Sequence, residues 1–133
     1  MNPHLRYKEN TAHSWARIDM LLLVYDKLVG ALQDGVRCLE TAKLSNLRTA
    51  RFEVQRCITV IADGLDLNQG EVPRNIVRLC LFTVERTTGE VLEDWKSSLS
   101  VMQSVREGFS QIQDEARELE HTGQIPALNL TGT

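Results

Sequence analysis

An all-α chain is predicted, an antiparallel up-down four-helix bundle with an extended N-terminal arm and a short flexible C-terminal tail. Three observations predict it. Apolar residues recur at three- and four-residue steps over four long stretches, no stretch alternates with a period of two, and three prolines in 133 residues leave room for long helices. Short connections between the stretches favour antiparallel neighbours. Residues 1–121 read as one domain, with an arm over 1–15 and a tail over 122–133.

The arm mixes Asn, Pro, His and charged residues without periodicity, yet carries Tyr7 and Trp15. A buried receiver for an aromatic ring is the reason an arm would hold one, so Tyr7 is expected to dock. From Ile18 the stripe Leu21, Leu22, Tyr25, Leu28, Val29, Leu32, Val36 and Leu39 marks a first helix continuing to about Leu44. Met20, Leu23 and Val24 fall off that stripe, so its first turns need cover from more than one side.

Ser45 or Asn46 can cap a second helix, whose inward residues are Leu47, Ala50, Val54, Ile58, Ile61 and Leu65. It is expected to end near Asp66. Asn68, Gln69 and Gly70 then break the pattern, and Pro73 suits the first turn of a third helix, where a missing amide hydrogen costs no bond. The third helix is expected to reach Trp95, with Val77, Leu81, Val84, Thr88, Val91, Leu92 and Trp95 inward. Ile76, Leu79 and Phe82 then form a second, outer apolar face. Gly89 weakens its C-terminal half. After Lys96-Ser97-Ser98 a fourth stripe runs through Leu99, Met102, Val105, Phe109, Ile112, Ala116 and Leu119. Periodicity stops at Thr122.

Composition narrows the function. A formal charge of −3 comes from 15 basic and 18 acidic residues that alternate along the chain, so no basic stripe exists to neutralise phosphates and a nucleic-acid partner is not expected. No run approaches the roughly 18 apolar residues of a membrane span, which favours a cytoplasmic protein. Cys38, Cys57 and Cys80 are odd in number and widely spaced, the pattern of plain buried thiols. His4, His13 and His121 lie outside helix interiors, and a di-iron bundle would need Glu-x-x-His on two facing helices, which is not present. No phosphate loop or nucleophile elbow occurs either, so neither an enzyme, a cofactor nor a metal is expected. Gly30, Gly35 and Gly64 interrupt helical patterns, either for close helix packing or as the floor of a groove.

Asn2-Pro3, Tyr7 and Asn10, the tract Leu22 to Asp26, and the tract Leu65 to Leu79 form a set. Together they resemble the FliS family of flagellar secretion chaperones, which has an Asn-Pro and Tyr-containing arm, a Leu-Tyr-Asp tract on its first helix, and a Leu-Asp, Gly-Glu, Asn-Leu pattern between its second and third helices. That last pattern reads here as Leu65-Asp66, Gly70-Glu71 and Asn75-Ile76. The resemblance spans about residues 2–112 and departs from the family at Ser14 to Asp19, at Pro73 and at Leu79-Cys80. It implies a cytosolic chaperone that binds the C-terminal segment of flagellin, blocks premature polymerisation and serves the flagellar type III export apparatus.

On that reading the partner groove comprises Ile58, Ile61, Leu65, Ile76, Leu79, Cys80 and Phe82, with Leu22 and Tyr25 as core or wall. Tyr7 is a displaceable cover, and Asp26 and Asn75 are structural anchors. A disordered, one-sidedly apolar flagellin end could fold onto such a surface. The competing readings are a homodimer that buries the same face against its own copy, and an adaptor for another amphipathic helix.

Overall fold

The computed structural model describes residues 16–122, and these are mostly helical, with no strand among them. The expected arm, including Tyr7, and the tail beyond Thr122 lie outside the described residues. A π-helical turn, Ala16–Met20, leads into α1 (Leu21–Glu40). A 3₁₀ turn, Leu44–Asn46, precedes α2 (Leu47–Asp63), and another, Leu67–Gln69, precedes α3 (Glu71–Arg86). Then come α4 (Leu92–Gln111) and a short α5 (Gln113–His121).

Helix α1 stops four residues before the expected Leu44, at a left-handed turn. Ala42 takes φ 57°, the Lys43 amide donates to the Cys38 carbonyl (2.9 Å), and the Thr41 hydroxyl donates to the Arg37 carbonyl (2.8 Å). This is the terminus usually made with Gly or Asn, and Ala in that place gives no sequence signal for it. In the α2–α3 connection Asp66 accepts from the Asn68 amide (3.0 Å), and Gly70 at φ 111° makes the turn that a side chain would strain. Pro73 sits in the first turn of α3, as its chemistry demands.

The boundary between the third and fourth helices differs from expectation. Helix α3 ends at Arg86, and Trp95 belongs to α4, which begins at Leu92 and runs straight through Lys96-Ser97-Ser98. Three threonines near the end of α3 bond back to its own carbonyls, Thr83 to Leu79, Thr87 to Thr83 and Thr88 to Glu85 (2.8–2.9 Å). Arg51 of α2 donates to the carbonyls of Thr87 (2.9 Å) and Gly89 (3.1 Å), and the Trp95 indole also donates to Gly89 (3.0 Å). The freed carbonyls after Arg86 thus have side-chain donors, which is what lets the chain turn there. The fourth stripe breaks as well, at Ile112, separating α5 from α4.

Helix α1 packs broadly against α2 and α4, while α3 touches α2 and α4 more lightly. Directions follow from side-chain pairs. Asp19 meets Arg117, Tyr25 stacks on Phe109, Asp26 meets Arg106 and Gly35 abuts Trp95, so α1 and α4 run oppositely. Arg86 at the end of α3 pairs with Asp94 at the start of α4 (3.1 Å), and Arg51 near the start of α2 reaches the end of α3, so these neighbours also run oppositely. The core holds Tyr25, Leu28 and Leu32 of α1, Leu47, Val54 and Ile61 of α2, Cys80 of α3, and Trp95 and Met102 of α4.

Of the helix-interior glycines, Gly35 is the close contact. A Cβ there would strike the six-membered ring of Trp95. Gly30 meets nothing within 4 Å, and Gly64 lies at the cap of α2, outside the helix interior where the pattern put it.

Candidate functional site

Helix α3 presents a different face to the core from the one expected. Ile76, Cys80 and Thr83 are buried, with Thr87 just beyond, while Leu81, expected inward, is 65% exposed. The inward arc is made partly of small polar residues, whose hydroxyls bond to their own helix, so an apolar stripe alone misplaces its centre.

The residues expected to line a partner groove therefore separate into two groups. Ile58, Ile61, Ile76 and Cys80 are buried in the core of the single chain, corrections to their expected place in a groove, and Leu22 and Tyr25, expected as core or wall, are buried as well. Leu65, Leu79 and Phe82 are half-buried, Leu65 and Leu79 packing on the core from its edge. Asp26 lies at the surface and ties α1 to α4 through Arg106. Asn75 is exposed and accepts from Arg78 one turn on (3.2 Å), so it fastens a side chain of its own helix and bridges to no other in that bond.

Exposed apolar side chains are spread over several helices, Phe52 and Val60 of α2 and Leu81 of α3 among them, and one set of partly exposed ones lies along the α3–α4 seam. The Arg86–Asp94 pair marks the edge at which the two helices face each other. Stepping back from Arg86 by three and four residues, the same row of α3 carries Phe82, Leu79, Asn75 and Val72. From Asp94 the corresponding row of α4 carries Ser98, Val101, Val105, Gly108 and Ile112. Ser98 is buried and donates to its own helix at the Asp94 carbonyl (3.0 Å). Leu79, Phe82, Val101 and Val105 are half-buried, Val72 is 68% and Ile112 46% exposed, and a Cβ on Gly108 would meet nothing within 4 Å. The Arg86 guanidinium lies over the Phe82 ring, 5.2 Å from its centroid, a cation–π contact within α3. By helix periodicity these two rows face each other, and their partly exposed apolar side chains form a strip, called the furrow below, that runs from the Arg86–Asp94 pair to Val72 and Ile112, with Leu79 and Val105 packing on the core beneath it. Sequence reasoning found Leu79 and Phe82 but missed Val72, Val101 and Val105 as their companions, because the opposite row depends on where α4 starts.

Other polar chemistry is sparse. Burial pushes the Tyr25 phenol well above its ordinary value, with nearby Cys80 adding to the effect, and its hydroxyl has no hydrogen-bond partner among the described residues. Burial likewise raises the Cys80 thiol to about 11, and burial followed by Glu53 raises Cys57. Thiols held protonated in this way are poor nucleophiles. Glu118 and His121 form one Glu-x-x-His spacing at the end of α5, and His121 is exposed. No group of three or more His, Cys, Asp or Glu able to hold a metal ion occurs among the described residues, and no helix there is long and apolar enough to cross a membrane. No family model, no curated protein and no solved structure matches the chain.

Proposed function

We propose that this chain is a binding protein of the flagellin-chaperone type, whose α1–α4 form an antiparallel four-helix bundle and whose guest is the amphipathic C-terminal segment of flagellin. The observation that carries the reading is the apolar furrow between α3 and α4, where Val72, Leu79, Phe82, Val101, Val105 and Ile112 stay wholly or partly in contact with water. Large side chains left along one seam suit an amphipathic helix laid in a groove. The resemblance of Leu22 to Asp26 and Leu65 to Leu79 to the FliS family supplies the identity of the guest.

The proposed role is cytoplasmic and non-enzymatic. The chaperone holds a segment that is disordered alone, prevents it from polymerising, and hands it to the flagellar export apparatus. The guest loses conformational freedom as it folds onto the furrow, and burying a long apolar face offsets that loss.

Titration calorimetry with the C-terminal flagellin peptide from the same genome tests the reading. Saturable one-to-one binding with a negative heat-capacity change is the expected outcome. Absence of saturable heat at high micromolar peptide overturns it. Sedimentation at several concentrations tests the competing homodimer: a dimer that Val72→Ser and Ile112→Ser dissolve would mean that the furrow serves a second copy.

A further inference from the structure

Helix α5 stands apart from the rest of the molecule in how it is held. It has nine residues, is separated from α4 by the non-helical Ile112, and packs against the π turn Ala16–Met20. An isolated helix of this length is marginal in water, so its order comes from that contact. The contact has little apolar content, because Ala116 and Leu119 are the half-buried apolar side chains of α5 and Asp114, Glu115 and Glu118 face solvent. Its polar content is concentrated at one residue. Asp19, 6% exposed, accepts from Arg117 through both Nε (3.0 and 3.1 Å) and Nη2, and from the Gln113 amide (2.7 Å).

We infer that α5 is a releasable strap, hinged at Ile112 and fastened over the π turn by the clasp of Asp19 with Arg117 and Gln113, and that its release opens the turn containing Ile18. Ile18 is 4% exposed and belongs to the turn that α5 covers. Arg117 has a second acceptor within its own helix, Asp114 at 3.9 Å, so the guanidinium keeps an ion-pair partner when the strap lets go. Asp19 has none of that freedom, since it is buried and its carboxylate loses its donors unless water enters. Closure is favoured by a buried carboxylate that needs its donors, and opening is made accessible by the thin apolar contact. The hinge residue also ends the α4 row of the furrow, so the strap and the furrow meet at Ile112. The inference does not rest on the flagellin reading, because it concerns contacts within one chain.

Amide hydrogen exchange of the full chain provides the test. In the wild-type protein, residues 113–121 are expected to exchange by a local opening whose rate is insensitive to low denaturant, ahead of α1–α4. Arg117→Gln and, separately, Asp19→Asn should raise exchange over 113–121 on the order of tenfold or more while leaving α1–α4 protected. Arg106→Gln, which removes the neighbouring Asp26 pair, should leave 113–121 unchanged. Wild-type exchange rates over 113–121 in both clasp variants overturn the inference. So does acceleration that spreads equally through α1–α4, or loss of the fold in either variant, because α5 would then belong to the cooperative core.

Discussion

Helix α4 takes part in two seams of opposite character. Against α1 it is closed along its length: the Trp95 ring fills the notch left by Gly35, Tyr25 and Phe109 stack with centroids 5.4 Å apart, and the Asp26–Arg106 pair joins the same two helices. Against α3 it is pinned at one end by Arg86–Asp94 and then lined by valines, Leu79 and Phe82 that remain half in water. The difference lies in residue size and placement. A glycine opposite an indole lets two helices approach until the ring is fully buried, whereas across the more lightly packed seam the valines of α4 and Leu79 and Phe82 of α3 keep part of their surface in water.

The closed seam should be the more fragile to substitution. Trp95→Ala removes a ring that is 0% exposed together with its bond to the Gly89 carbonyl, and should cost about 3–5 kcal/mol, measured by urea unfolding. Gly35→Val forces the indole or the α1 backbone to move and should cost about 1–3 kcal/mol. Gly30→Ala, one and a half turns earlier with nothing within 4 Å, should instead stabilise by up to about 1 kcal/mol. Equal losses at both glycines would show that helix propensity, not the indole, governs the seam.

Cys80 lies where the inner edge of α3 meets the core, beside Tyr25. Its thiol remains protonated to about pH 11, whereas an unfolded thiol ionises near its ordinary value of 9.0. The unfolded chain releases its proton first, so this contribution to stability is complete below about pH 9 and is lost as pH rises toward 11. The urea midpoint should fall over that window by the equivalent of up to about 2 kcal/mol, and Cys80→Ala should flatten the fall, leaving the part due to Tyr25. A midpoint with the same pH slope in both proteins would mean that the thiol is not sequestered.

These contrasts explain what could be read from the chain and what could not. The inward stripe of α2, from Leu47 to Ile61, is buried where its spacing put it, since all of its members are apolar, although the helix ends at Asp63, before the expected Asp66. Helix α3 escaped the same treatment because Thr83 and Thr87 are buried by satisfying their hydroxyls locally, so hydrophobicity underweights the face they occupy. The α3–α4 boundary depends on Arg51, dozens of residues upstream, donating to the carbonyls of Thr87 and Gly89. The clasp at Asp19 joins residues 98 apart and has no local trace at all. Of the candidate site, Leu79 and Phe82 were legible as surplus apolar residues, while the opposite row needed the true start of α4.

The open seam should show the smallest effect on stability and the largest on binding. Val72→Ser and Ile112→Ser change two side chains that already sit 68% and 46% exposed, so together they should shift stability by no more than about 1 kcal/mol. If the furrow receives an amphipathic helix, the same pair removes two apolar contacts at its far end and should weaken flagellin-peptide binding by roughly tenfold or more. The Gly30→Ala protein, altered on α1 away from this seam, should bind as the wild type does. A double variant that keeps both its melting temperature and its affinity would leave these side chains as ordinary exposed apolar surface, and the contrast between the seams would then concern packing alone.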